Sequence, residues 1–87
     1  MFRVEYAKGI VKDLQGLPSA IRRKALQVIE QQLAHTPTAG IPLTGPYRGL
    51  RKYRVGGWRI IYKIEASRLV IFVLRIRHRK DVYRGMV

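Results

Sequence analysis

The sequence predicts an α+β fold of order β-α-α-β-β-β: a small, mostly antiparallel sheet with an αα-hairpin packed on one face. Three observations predict it. Between residues 7 and 35, apolar residues recur at the spacing of amphipathic helices. Three later windows, 49–55, 58–64 and 69–77, are rich in β-branched and aromatic residues. Gly56 and Gly57 separate the first two of these windows, a strong two-residue hairpin signal. At 87 residues the chain suits a single domain with one core, spanning 1–87.

Each element follows from local pattern. Residues 2–6, FRVEY, alternate Phe2, Val4 and Tyr6 with Arg3 and Glu5, as a short half-buried strand does. In AKGIVKDLQGLP, residues 7–18, Ile10, Val11, Leu14 and Leu17 keep helical spacing, and Gly16 with Pro18 stops the run. A longer helix runs from Pro18 or Ser19 to His35, with Ile21, Ala25, Val28, Ile29 and Leu33 as its apolar stripe. Pro18 suits the first helical position and Ser19 suits the N-cap, and the residues alone do not decide between them. So short a break makes the two helices a hairpin. Residues 36–48, TPTAGIPLTGPYR, hold three prolines and two glycines, which neither extend a helix nor fill a central strand. They read as an ordered surface loop with Ile41 and Leu43 to bury and Tyr47 as packing. The short segment EASR, 65–68, joins the last two strands.

Composition excludes several classes. With no cysteine there is no disulfide framework and no thiolate metal site, and a reducing cytoplasm fits. MFRVEYAKGI carries charges where a signal peptide needs an apolar core. The longest apolar run, LVIFVL at 69–74, is far short of the roughly 20 residues of a membrane span. Two histidines and five scattered acids make a protein-held metal improbable.

Charge is the informative property. The formal net charge is +13, and residues 48–87 carry twelve Lys/Arg against two Asp/Glu. Residues 1–47 carry six against three. So one-sided a basic protein expects a polyanion. Strand alternation gathers the cations further. On 58–64, Trp58, Ile60, Tyr62 and Ile64 share one face, and Arg59, Ile61 and Lys63 the other. On 49–55, Lys52 and Arg54 join Leu50 opposite Tyr53 and Val55, although Arg51 falls on the apolar side. On 69–77, Val70, Phe72, Leu74 and Ile76 form an apolar row, and Arg75 and Arg77 extend the other. One face then buries under the helices, and the uncovered face displays Lys52, Arg54, Arg59, Lys63, Arg75 and Arg77. Arginine on such a face offers planar, bidentate recognition of phosphate.

The segments LRKYRVGGWRIIYKI (50–64) and IRHRKDVYR (76–84) resemble two motifs of the RelE/ParE superfamily of bacterial toxin–antitoxin toxins. The first is similar to Leu-x-x-x-Arg-Val-Gly-x-Tyr-Arg-x-x-Tyr, with Trp58 in place of a usual tyrosine. The second is similar to a closing His-Arg-x-x-x-Tyr segment. The resemblance covers nearly the whole chain and implies a RelE-like fold. RelE-like members cleave mRNA in the ribosomal A site without metal or cofactor; ParE-like members poison DNA gyrase. In the favoured RelE-like branch, the resemblance implies catalytic roles for Arg54, Arg59, Arg77, His78 and Tyr83. Lys52, Lys63, Arg75 and Arg79 would add phosphate binding.

These residue types suit RNA cleavage. The ribose 2′-OH attacks the adjacent phosphate and expels the 5′-oxygen, so the protein must help a proton off, stabilise a phosphorane and protonate the leaving group. Arginines serve the second task. Tyr83 is the better candidate base, because surrounding guanidiniums favour its phenolate. His78 is an alternative acid or base. Trp58 and Tyr62 read as core. The implied partners are an acidic antitoxin, mRNA and the ribosome. A gyrase inhibitor, or a non-catalytic RNA- or ribosome-binding module, is the alternative.

Overall fold

The protein is described by a computed structural model of residues 1–81. Four of its strands follow the predicted windows: β1 (Arg3–Tyr6), β3 (Arg51–Val55), β4 (Trp58–Glu65) and β5 (Val70–His78). A further strand, β2 (Ile41–Pro42), lies within the segment read as a loop. It pairs antiparallel with β3, Ile41 opposite Lys52 and Pro42 opposite Arg51. Proline is tolerated there because an edge strand leaves one side unpaired. The sheet has the order β1-β5-β4-β3-β2, and only the β1–β5 pairing is parallel. The predicted hairpin closes on Val55 opposite Trp58. Gly56 takes φ +59°, a left-handed first turn residue that glycine adopts without a Cβ clash.

Two helices pack on one face. α1 is Ile10–Gln15 and α2 is Ser19–Gln27. Pro18 occupies the N-cap position in an extended conformation, which makes Ser19 the first helical residue. The helical path then widens into a π-helical stretch, Val28–Leu33, where the Ala34 N–H donates to the Ile29 carbonyl five residues back at 3.1 Å. Ala25, Val28, Ile29 and Leu33 bury against Val55, Ile60, Tyr62, Ile71, Val73 and Ile76. Val11, expected in the apolar stripe, is 59 % exposed. It follows Ile10 by one residue, about 100° around the helix, so both cannot face the sheet. No helix among the described residues is long and apolar enough to cross a membrane.

Alternation alone misplaces half of β5. Ile61 stands opposite Arg75 but Tyr62 opposite Val73, so Leu74 is one residue too many: a β-bulge. Ile71 and Val73 precede it and enter the core; Ile76 follows it and also enters. The predicted apolar row of Val70, Phe72, Leu74 and Ile76 is therefore corrected. Val70 and Phe72 share the face of Glu65 and Lys63, opposite which they pair. Had alternation run on unbroken from Ile71 and Val73, Arg77 would point at the helices. The bulge reverses the parity and brings Arg77 opposite Arg59.

Candidate nucleic-acid interface and active site

The face without helices is organised in rows across the strands. Arg54 stands opposite Arg59, and Arg59 opposite Arg77, so three arginines of three strands share one row. The adjoining row, two residues along, holds Ile41, Lys52, Ile61 and Arg75. Like charges directly opposite one another destabilise a sheet. The arginine row is therefore not explained by the stability of the strands that carry it.

Acidic residues divide this face. At the β1 end, Glu5 lies 3.5 Å from Arg3 and 2.9 Å from Arg68. Glu65 lies 2.7 Å from Arg68 and 3.4 Å from Lys63. Hydrogen bonding from Arg68 holds the Glu65 carboxyl below its ordinary range. At the hairpin end, neither Arg54 nor Arg59 forms an ion pair among the described residues. Among the described residues their acceptors are backbone carbonyls, Gly56 at 3.5 Å for Arg54 and Trp58 at 3.3 Å for Arg59. A depression of about 170 Å³ opens there, lined by Ile41, Lys52, Arg54 and Arg59. Its walls concentrate positive charge where a phosphate can be met from several strands at once.

Of the residues singled out in the sequence, Arg54 and Arg59 come together with Lys52 in one depression; Arg77 stands opposite Arg59 in register but lines a separate depression with Asp13 of α1, Trp58 and His78. Lys63 is on the same face but at the acidic end, against Glu65. Arg75 is drawn out of the patch: its guanidinium forms a bidentate pair with Asp13 of α1, at 2.8 and 3.0 Å. His78 is not in the row. It faces the helix side opposite Trp58, the two rings edge-on with centroids 5.2 Å apart. Its Nδ1 accepts the Lys80 N–H at 3.3 Å. Arg79 begins a short turn, Arg79–Asp81, and its N–H donates to the Gly57 carbonyl at 2.9 Å. Tyr83 lies outside the described residues.

Sequence reasoning missed the residues that hold this site in shape. Asp13 also accepts the Ile76 N–H at 3.0 Å. Burial works against its charge, but the Arg75 guanidinium, the Ile76 amide and the charge of Arg77 prevail and hold its carboxyl low. On the far side, Tyr62 is fully buried and fixes the chain that leads into β2. Its hydroxyl donates to the Pro37 carbonyl at 2.6 Å and accepts the Gly40 N–H at 2.9 Å. Desolvation raises its pKa, keeping the hydroxyl protonated as a donor. Arg51, whose place on the apolar side looked anomalous, donates to the Gly40 carbonyl at 2.8 Å. Asp13 carries no motif that distinguishes it from an ordinary surface acid; Tyr62 closes the first motif and reads as core, but its motif does not show that it anchors residues 37–40.

Comparison with known proteins fits this geometry. Residues 4–83 match the family model described as the ParE toxin of type II toxin–antitoxin systems. The chain belongs to that family. The toxin is 29 % identical to toxin RelG of Mycobacterium tuberculosis over 84 residues, 95 % of this chain and 97 % of RelG. Its fold matches the toxin–antitoxin complex RelBE2 of the same organism with a TM-score of 0.84 at 26 % identity, covering 90 % of this chain and 98 % of that one. The archaeal RelE–RelB complex of Pyrococcus horikoshii matches with a TM-score of 0.67 at 30 % identity, covering 90 % and 94 %. Within the RelE/ParE superfamily the toxin is RelE-like. The predicted α+β, RelE-like architecture is the one found.

Proposed function

We propose that this toxin is a ribosome-dependent mRNA endonuclease. The observation that carries the reading is the row Arg54–Arg59–Arg77, held in register across three strands on the face the helices leave open. A phosphate seated on that row meets preorganised guanidiniums. As the 2′-OH attacks phosphorus, the phosphorane gains negative charge on its equatorial oxygens, and fixed donors stabilise it more than the ground state. The P–O5′ bond then breaks, leaving a 2′,3′-cyclic phosphate upstream and a 5′-hydroxyl downstream. Arg59, central in the row, is assigned to the equatorial oxygens, and Arg77 to the leaving oxygen. Tyr83 is the proposed base. His78, turned to the helix side, is the less favoured one. RNA brings its own nucleophile, so the reaction calls on no metal or cofactor.

The reading places the toxin in the cytoplasm, at the A site of translating ribosomes, and gives it an acidic antitoxin as partner. Solved complexes of RelE-like relatives with antitoxins support that partner. The deciding experiment is primer extension on mRNA incubated with purified toxin and programmed ribosomes. Discrete codon-positioned cuts are expected, in EDTA as well, provided the ribosomes stay intact. DNA damage in expressing cells without mRNA cuts would instead favour gyrase, the alternative that the ParE family model keeps in view. Neither outcome would leave a binding module without chemistry.

A further inference from the structure

The arginine row is flanked by a built apolar wall. Ile41 is 62 % exposed, a large aliphatic side chain presented to solvent by an edge strand. It stands opposite Lys52, one row from Arg54 and Arg59, and so about 7 Å along the strand from them. The depression at the arginines does not end at Ile41. A second one, of about 290 Å³, is lined by Ile41, Pro42, Leu43, Thr44, Tyr47 and Lys52. The two share Ile41 and Lys52 and form one groove, cationic at one end and apolar at the other.

The wall is rigid. Tyr62 and Arg51 anchor it at residues 37–40, Leu43 is buried, and its N–H donates to the Leu50 carbonyl at 2.9 Å. A short turn, Gly45–Tyr47, closes with the Leu50 N–H on the Tyr47 carbonyl at 3.1 Å. Thirteen residues rich in proline and glycine are thus tied at both ends, yet leave Ile41 uncovered.

We propose that this groove is a nucleobase subsite, which takes the base of the nucleotide attached to the phosphate on the arginine row. The inference rests on the RNA-cleaving reading of that row. Its occupant follows from continuity: whatever puts a phosphate at Arg54 and Arg59 has its next group within reach of Ile41 and Tyr47. In RNA that group is a base, with apolar faces and polar edges. The Tyr47 ring and Ile41 contact the faces, and the Thr44 hydroxyl lies among the groups that meet an edge. Tyr47, read from sequence as loop packing, becomes part of a binding surface. Stacking of a base on an aromatic ring such as that of Tyr47 is worth about 5–100-fold in affinity.

The test uses the full-length toxin and ribosomes programmed with an mRNA whose scissile nucleotide is 2′-deoxy, so that binding is read without cleavage. A second mRNA is abasic at that nucleotide. Ile41→Ala is expected to weaken binding to the intact mRNA about 10-fold and to change binding to the abasic one less than twofold. Arg59→Ala is expected to weaken both. Ile41 is exposed, so thermal melting should be unchanged in its variant. Equal losses on both mRNAs, or none, overturn the subsite. So does a loss confined to antitoxin binding, which would make the wall a protein contact. If Arg59→Ala also leaves binding unchanged, the functional reading fails with it; if only Ile41→Ala is silent, the subsite alone fails.

Discussion

Asp13 and Arg75 lie 62 residues apart in sequence and form a two-bond ion pair, Nε to Oδ2 at 2.8 Å and Nη2 to Oδ1 at 3.0 Å. The same carboxylate takes the Ile76 N–H, on the part of β5 that runs past the end of β1. These three bonds grip the strand directly after the bulge at Leu74. The bulge decides which face Arg77 occupies. A residue of α1 therefore helps fix the register that sets Arg77 opposite Arg59.

Asp13→Ala should lower stability by about 2 kcal/mol, since hydrogen bonds to a charged group are lost and Arg75 is left partly buried beside a vacated site. Asp13→Asn keeps an acceptor for Ile76 and should cost less. The pH dependence has a definite sign. The folded pKa of Asp13 is depressed, so its contribution is complete above the usual carboxylate range near 4 and fades as pH falls through the lower folded value. The gap in melting temperature between wild type and Asp13→Asn should narrow below about pH 4. A constant gap down to pH 2 would show that the charge of Asp13 contributes nothing.

The fold was legible where one period dominated. Arg54 and Arg59 could be placed on one face because β3 and β4 alternate cleanly around Gly56 and Gly57. The helical stripe of Ala25, Val28, Ile29 and Leu33 was equally plain. β5 was not, because VIFVL offers five apolar residues in succession and any of them could be the bulged one. Ile41 and Pro42 gave no strand signal, since two residues have no period. Asp13 was invisible as a site-shaping group because its partners lie 62 and 63 residues away. Arg77 was placed in the row of Arg59 from a parity that holds only after the bulge.

Gly40 should tolerate no side chain. A Cβ there would lie 2.9 Å from the Lys52 carbonyl oxygen, a backbone atom that cannot swing away, and would also strike the Tyr62 ring. Gly40→Ala should cost about 1–3 kcal/mol, the range of overpacked cores. Tyr62→Phe removes the hydroxyl shared by Gly40 and Pro37, and should cost about 1–3 kcal/mol. Chemical denaturation measures both. Equal stability of Tyr62→Phe and wild type would mean that water replaces the hydroxyl without penalty, and that the wall is not anchored there.

Binding to single-stranded RNA should weaken with salt in proportion to the cations engaged. Lys52, Arg54, Arg59 and Arg77 together predict a slope of log affinity against log salt of about −3, at roughly 0.7 per phosphate. Had Lys63 and Arg75 also been engaged, the slope would be about −4. Their carboxylate partners, Glu65 and Asp13, argue for the smaller value. Arg54→Ala should reduce the slope by about 0.7, and Lys63→Ala should leave it nearly unchanged. A flat salt profile would remove the electrostatic basis for the site.

Arg59 and Lys63 share a strand and a face but not an environment, and this contrast tests the site most directly. Arg59 has an arginine opposite it on each neighbouring strand, Arg54 and Arg77. Lys63 stands opposite Phe72 and pairs with Glu65 at 3.4 Å. A phosphorane on the arginine row would draw two hydrogen bonds from a guanidinium already in place, and loss of one such donor typically costs about 10²–10³-fold in rate. Lys63 acts on that charge only across solvent, where salt screens it. Arg59→Ala should therefore abolish growth inhibition and slow single-turnover cleavage by about 10²–10³-fold. It should also melt no lower than wild type, because removing it relieves repulsion from Arg54 and Arg77. Lys63→Ala should cut within a few-fold of the wild-type rate. Wild-type cleavage by Arg59→Ala, or loss of its activity only through unfolding, would place the reacting phosphate elsewhere on the sheet.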